Sequence, residues 1–498
     1  MGPMNELLTR AERTGYLETS THADVLAFIE GLKPLARGRL VVSDFGTTPE
    51  GRVLPLLVLS ASGIATPAEA RASGLPVVLV QCGIHAGEVE GKEGALMIMR
   101  DLLQGGHAGL LDRLVLVVAP LFNADGNERM NPNNRRLDIA HFTGQLGPDG
   151  GVGTRENAAG INLNRDYMRQ EGAEMRLMQT RVCHAWNPHL TIDCHTTNGS
   201  IHRFDMTYDI PHTIDSGRRE PIEYMRHQVM PAVGAAVKAK EGIDSCWYGN
   251  FQRDEGGEGT GWITYPHHPR FGGNYRGLTN RLDVLLETYS YIDFPARVRA
   301  TYAFVRETLR YVAAHGAEIL ALLEASLLPP DSIAVGYQLA PFDAPVTILT
   351  REPYTLEGAP ITVSVPHLAR FVGVDPVARP LAYAVPAAVA RHLAAHGLTI
   401  EPARPVMVDA EVARVQRQVV TGGRDILEAK SSSHWQFAVR RERRATPADW
   451  HLVRTGQQRG AIAAYLCEAG SDDGLGACGL LGGLKPGDEF PAWRVHGT

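Results

Sequence analysis

Gln81–Gly91, QCGIHAGEVEG, stands between two stretches of different texture. Before it, Leu75–Val80 (LPVVLV) is a continuous apolar run of the kind that forms a buried strand. After it, Gly91–Leu103 (GKEGALMIMRDLL) spaces its apolar residues as an amphipathic helix does. His85 and Glu88 therefore fall on the turn that leaves a strand. An imidazole and a carboxylate three residues apart can converge there on one divalent cation. Zinc takes nitrogen from His and oxygen from Glu, and its catalytic sites have three protein ligands and an open position. A lone H-x-x-E is also an ordinary surface turn, so a third ligand decides between the two readings.

The surroundings of the stretch set the fold class. Ala23–Leu32 (ADVLAFIEGL) gives helical periodicity to the segment Met1–Leu32. Arg37–Ser60 reads as two strands around the turn TTPEG, a hairpin suited to a sheet edge. Leu114–Leu121 (LVLVVAPL) is a second buried strand, ending in Asn123-Ala124-Asp125-Gly126. Strand and helix alternate, which predicts an α/β domain with a mixed, largely parallel sheet flanked by helices. Asn127–Gly160 is long, polar and aperiodic, and a loop of that length in a compact domain is functional or mobile. It runs into Gly160–Arg169, GINLNRDYMR.

Two further strands supply the missing groups. His189–Thr197 (HLTIDCHTT) places Asp193 and His195 on one face by two-residue alternation. Arg281–Tyr291 (RLDVLLETYSY) carries Glu287 near its end, before a helix at Pro295–Leu323. Between these strands, Ser200–Gly277 reads as irregular apart from a helix near Pro221–Lys240. In open α/β sheets, ligands bind at the carboxyl ends of the strands. His85, Glu88 and His195 are thus placed to hold one Zn²⁺ per chain and leave a position for water. Glu287, among apolar neighbours that should raise its pKa, suits a general base acting on that water.

With these elements in order, the chain resembles the zinc carboxypeptidase family over about Leu75–Tyr291. HAGE, the distant His195, Asn164-Arg165 within GINLNRDY and the strand-borne Glu of LLETYSY carry the resemblance. It implies a mixed eight-stranded sheet and a peptidase that removes C-terminal residues. Position by position it implies His85, Glu88 and His195 as zinc ligands and Glu287 as base. It further implies Asn164 and Arg165 as the pair that binds the substrate's terminal carboxylate, a task suited to a planar guanidinium. A second arginine would stabilise the oxyanion. Arg155 is the choice, with Arg135 and Arg136 as alternatives expected at the solvated surface. Asn162 stands where the family often has Asp beside the first zinc His, and Asp193 is placed to support His195. The capping tyrosine is left between Tyr265 and Tyr275, and the loop Gly256–Leu278, which should select the side chain, gives no specificity.

The rest of the chain bounds the reading. Its 498 residues suffice for two or three domains. The boundary is set at Leu328-Pro329-Pro330-Asp331, giving a catalytic domain at 1–327 and a β-rich domain at 328–498. The runs VTILT, APITVSV, LAYAVP, HWQFAV and AIAAYLC read as its strands, with one helix near Ala387–His396. The SDDGL stretch at Ser471–Leu475 loosely resembles the appendage of large bacterial family members. A formal charge of −6 gives no electrostatic case for nucleic acid or an anionic membrane, and the RRERR cluster at Arg440–Arg444 is short. No stretch is long and apolar enough for a membrane span. The six cysteines are scattered without a C-x-x-C pair, so free thiols and a cytoplasmic location are expected, with secretion or the periplasm as the alternative if a signal peptide has been removed. The expected substrate is a peptide or small amide, and an amidase or deacylase of N-acyl amino acids or cell-wall peptides would use the same parts. The sequence leaves the oligomeric state open.

Overall fold

The computed structural model describes residues 7–253, 259–424 and 431–497. Ten strands precede the long helix Phe294–Ala325: β1 (Leu40–Thr47), β2 (Val53–Leu59), β3 (Val77–Cys82), β4 (Val115–Ala119), β5 (Leu190–Thr197), β6 (Met206–Asp209), β7 (Ser245–Trp247), β8 (Asn250–Arg253), β9 (Gly259–Ile263) and β10 (Leu282–Tyr289). Eight of them form one sheet in the order β1-β2-β4-β3-β5-β10-β6-β7. Its centre, β4-β3-β5-β10, is parallel throughout. The β1–β2 hairpin, the β2–β4 pair and the β10–β6 pair are antiparallel. The mixed sheet read from the sequence is therefore present, with the β1–β2 hairpin at its edge. Every residue of β3, β4 and β5 is buried, as continuous Val/Leu/Ile runs require when both faces of a parallel sheet are covered.

Helix Glu90–Leu103 follows β3 and packs on β3, β5, the helix His22–Ala36 and the helix Phe294–Ala325. Its approach to β5 is close enough to demand glycine at 91, where a Cβ would meet the Cys194 Cβ at 2.5 Å. The sequence-predicted helix at Pro221–Lys240 extends from Arg219 to Glu241, with a wider π-type turn at Met225–Val229. Three expectations need correction. The segment up to Leu32 is one short helical turn, Arg10–Arg13, then a turn and irregular chain and the helix His22–Ala36; residues 1–6 lie outside the described residues. Ser200–Gly277 is more ordered than its composition suggests, for it holds β6 to β9 and the helix Gly272–Leu278. These elements are only three to seven residues long, too short for periodicity to register.

Beyond the long helix come β11 (Ser332–Pro341), β12 (Val346–Glu352), β13 (Ala359–Val365), β14 (His367–Ala378), β15 (Ala382–Pro386), β16 (Met407–Arg424), β17 (Ser431–Ala445), β18 (Trp450–Arg454) and β19 (Trp493–Gly497). They form a two-stranded β12-β13 ladder and a five-stranded sheet, β17-β16-β19-β15-β18. A further sheet, β11-β14-β9-β8, takes strands from both sides of residue 328, with β14 parallel to β9. The largest apolar core also joins both sides, from Val25 through Leu286 to Tyr383 and Leu466. AIAAYLC, read as a strand, is instead helical: Gly460–Cys467 is a helix with all eight residues buried. A helix apolar all round presents the same unbroken run as a buried strand, and a short run cannot separate the two.

Candidate active site

The parallel ladder explains the central geometry. In β5 and β10, His195 lies directly opposite Glu287, so both side chains leave the same face of the sheet at its carboxyl edge. β3 ends one strand away, in register with β5 up to Cys82 and Cys194. The turn that follows brings His85 and Glu88 back over that edge, closed by the Glu88 amide donating to the His85 carbonyl at 3.0 Å.

Glu88 is the hub. Its Oε1 lies 3.1 Å from Nδ1 of His85 and its Oε2 lies 2.9 Å from Nδ1 of His195. All three residues are only 3% exposed. The two imidazoles meet edge to face with centroids 5.0 Å apart, and one donor atom from each of the three residues falls within 4.8 Å of the others. Both rings thus turn Nδ1 to the same carboxylate. On the far side, Asn162 Oδ1 holds Nε2 of His85 at 3.1 Å, and Asp193 Oδ1 lies 3.3 Å from Nε2 of His195 as a charge partner. Asp193 is in turn fixed by Gln81 at 3.0 Å and by Arg276 at 2.8 Å. This is the outer support that orients metal-binding histidines. Two nitrogens and a carboxylate, buried and aimed at one another, fit a zinc ion's preferred donors.

The electrostatics follow from burial and charge. Burial drives the His85 imidazole down to about 3, with the Arg155 guanidinium pushing the same way, so this ring is neutral and keeps a lone pair. For His195 burial acts downward too, but Asp193 and Glu88 outweigh it and raise its pKa well above the ordinary histidine value. Burial would raise the Glu88 carboxyl, yet His85 and Arg135 hold it well below its usual range. Glu287 goes the other way. Its desolvated setting raises it to about 8, and the Glu88 charge adds to that, against the pull of His195, Arg155 and Arg135.

Two arginines of the long loop reach the hub. Arg155 Nη1 lies 3.2 Å from both Glu88 Oε1 and Nδ1 of His85. Arg135, expected at the solvated surface, is a correction. Its Nη1 donates to Glu88 Oε1 at 3.0 Å, its Nη2 to the Thr196 carbonyl at 3.0 Å and its Nε to Gln145 at 2.7 Å. Arg136 is exposed, as expected. Asn164 and Arg165 sit on a single 3₁₀ turn, Leu163–Arg165, capped by Asn162, whose Oδ1 also accepts the Asn164 amide at 3.0 Å. One asparagine side chain therefore ties this turn to His85. The Arg165 guanidinium lies 3.8 Å over the Phe271 ring.

The tyrosines sort differently from the sequence reading. Tyr275 is 2% exposed; its hydroxyl donates to Gln179 Oε1 at 3.0 Å and lies 2.8 Å from Nδ1 of His396, which removes it from the cleft. Tyr265 donates to the Ile210 carbonyl at 3.3 Å. The phenol that lies beside the site is Tyr248, half-buried between β7 and β8. Burial pushes its pKa up, and the nearby Glu287 and Glu88 charges add to that against Arg155. Nothing in the local sequence marks Tyr248, because strands too short to read bring it there. A second group with metal-binding side chains, His267, His268 and Asp472, lies elsewhere. Its Asp472 is already engaged by Nε2 of His267 and the hydroxyl of Tyr465.

Comparison with known proteins gives one family match: residues 25–197 fit the zinc carboxypeptidase model. That span contains His85, Glu88, Arg135, Arg155, Asn162, Asn164, Arg165 and His195, and stops short of Glu287. Among curated proteins none matches. Similar solved structures include a metallo-carboxypeptidase from Burkholderia cenocepacia, with 17% identity over 59% of this chain and 69% of that one and a TM-score of 0.41. A metallo-carboxypeptidase from Pseudomonas aeruginosa in complex with (2-guanidinoethylmercapto)succinic acid has 18% identity over 60% and 68%, TM-score 0.39. Bovine thrombin-activatable fibrinolysis inhibitor in complex with tick carboxypeptidase inhibitor has 13% identity over 61% and 99%, TM-score 0.43.

Proposed function

From a chain that belongs over residues 25–197 to the zinc carboxypeptidase family, we propose a metallocarboxypeptidase that hydrolyses the last amide bond of a peptide with a free terminal carboxylate. The observation that carries the reading is the pairing of His195 with Glu287 across the β5–β10 ladder, beside a carboxylate that already faces Nδ1 of two histidines. His85, Glu88 and His195 would hold one zinc ion per chain. Bound there, zinc supplies Lewis acidity, which polarises a carbonyl and brings the pKa of water towards neutrality.

The chain's own groups do the rest. Glu287 takes the proton of the attacking water and delivers it to the leaving amine, which needs a carboxyl whose pKa lies near the working pH. Burial and the neighbouring Glu88 charge raise Glu287 above the ordinary carboxylate range, the direction that role needs. Arg155 stands beside the hub and offers a charged donor to the oxyanion as it forms. Asn164 and Arg165 bind the terminal carboxylate, with the guanidinium held flat by its stacking on Phe271. Tyr248 closes the other side of the cleft.

The test uses pairs of N-acylated dipeptides that differ only in a free or amidated C-terminus. We expect cleavage of the free acids with kcat/KM at least about a hundredfold above the amides, the scale for a site left with unpaired polar groups. Equal rates on both would sink the exopeptidase reading and turn attention to an amidase with another anchor.

A further inference from the structure

Ser471–Leu475, SDDGL, lies almost two hundred residues beyond Glu287 and takes no part in the chemistry above. It caps the buried helix Gly460–Cys467. The Ser471 amide donates to the Glu468 carbonyl at 3.1 Å, and the Leu475 amide to the Leu466 carbonyl at 2.9 Å. The turn needs glycine at 474, where a Cβ would stand 2.8 Å from the Tyr465 carbonyl oxygen and 3.0 Å from that of Leu466. A turn fixed this firmly aims its two carboxylates at one segment of the catalytic part, residues 267–271.

The grip is specific. Asp472 Oδ2 lies 2.6 Å from Nε2 of His267. Asp473, with no exposed surface, accepts the Arg270 backbone amide at 2.7 Å and the Arg270 Nε at 2.8 Å, and its Oδ1 lies 2.7 Å from Nη2. One carboxylate thus holds both the main chain and the side chain of Arg270. The next two residues are what Asn164 and Arg165 rest on. Phe271 presents its ring to the Arg165 guanidinium at 3.8 Å, and the Gly272 amide donates to Asn164 Oδ1 at 2.9 Å.

We propose that Asp473 is a positioning residue for substrate recognition: through Arg270 it sets Phe271 and Gly272 as the platform for Asn164 and Arg165. The C-terminal part of the chain thereby sets the affinity for the substrate's terminal carboxylate. This rests on the assignment of Asn164 and Arg165 as the carboxylate anchor. His85, Glu88, His195 and Glu287 lie on or beside β3, β5 and β10, outside the clamp. Loosening the platform therefore weakens the grip on substrate and spares the chemical step. A displacement of about 1 Å in a positioning group can cost up to about a hundredfold, so a partly loosened platform should cost about tenfold.

The experiment compares full-length zinc-loaded protein with its Asp473→Asn, Arg270→Lys and Phe271→Leu variants on the paired free-acid and amide dipeptides. Asp473→Asn should raise KM for free acids about tenfold with kcat within about twofold, zinc content unchanged and the amides unaffected. Arg270→Lys keeps the charges but gives up the two-pronged grip, and Phe271→Leu keeps apolar bulk but removes the ring face. Both should reproduce the KM effect, so the question stays decidable if Asp473→Asn fails to fold. Unchanged KM for free acids in the folded variants, or equal losses in kcat on acids and amides, would overturn the clamp. Failure of the anchor assignment shows separately, as an unmodified protein with no preference for free acids.

Discussion

The edge of the sheet and the loop Asn127–Arg169 both contribute to the site, in different ways. His195 and Glu287 are placed by the register of a parallel ladder, and a slip of one residue in either strand would turn that strand's side chain to the other face. Arg135 and Arg155 on irregular backbone, and Asn164 and Arg165 on the 3₁₀ turn that follows, are placed by contacts to Glu88, to Asn162 and to the 267–272 segment. The comparison suggests a division of labour. On the proposed roles, the groups that make and break bonds sit on the rigid sheet, while those that hold the substrate sit on a loop that can be adjusted without disturbing the chemistry.

The sharpest way to break that division is Glu287→Gln. It should lower kcat by about a thousandfold, within the range for loss of a general base, and leave zinc content intact; near-normal turnover would remove Glu287 from the base role. Arg155→Met probes the loop's one proposed contribution to the transition state. A fall in kcat of about a hundredfold is expected, the lower end for an oxyanion donor. A change confined to KM would return Arg155 to the substrate-holding group.

The loop's own anchoring gives a pH prediction. Asp166, buried beside the Leu163–Arg165 turn, is raised by burial to about 6 despite accepting amides from Gly172 and Glu171. Its folded pKa lies above the unfolded value, so folding favours the protonated acid. The stabilisation is fully present below the unfolded pKa and is lost as pH rises through about 6. Asp166→Asn should flatten the pH dependence of denaturant stability between about pH 4 and 6, removing a slope worth about 3 kcal/mol in all. An unchanged slope would show that the loop is not held this way. The smallest effect concerns the side chain that ties the Leu163–Arg165 turn to His85. Asn162→Ala should weaken zinc binding about tenfold, as loss of a group orienting a ligand does, and equal affinity would mean that the loop leaves His85 to orient itself.

The same contrast explains what the sequence made legible. His85, Glu88, His195 and Glu287 stand at the ends of apolar runs, where strand periodicity alone gives face and edge. Asp193 could be assigned as a support because strand alternation puts it on the face of His195, whereas Asn162 was marked only by the resemblance to the zinc carboxypeptidase family. Arg135 could not, because a loop without periodicity does not say which of two adjacent arginines turns inward. Tyr248 was hidden for a related reason: the three- and four-residue strands that flank it leave no pattern. The all-apolar helix Gly460–Cys467 passed for a strand, and with it went the turn that carries Asp472 and Asp473. What remained unreadable is whatever depends on which distant segments meet.

The central claim is that His85, Glu88 and His195 together hold zinc. Its most direct test is the metal content of the protein purified without added zinc and then equilibrated with it, beside His195→Ala treated alike. About one zinc per chain in the unmodified protein, and loss of it in the variant, is the predicted result. A variant that keeps its zinc, or an unmodified protein that takes up none when zinc is supplied, would contradict the account.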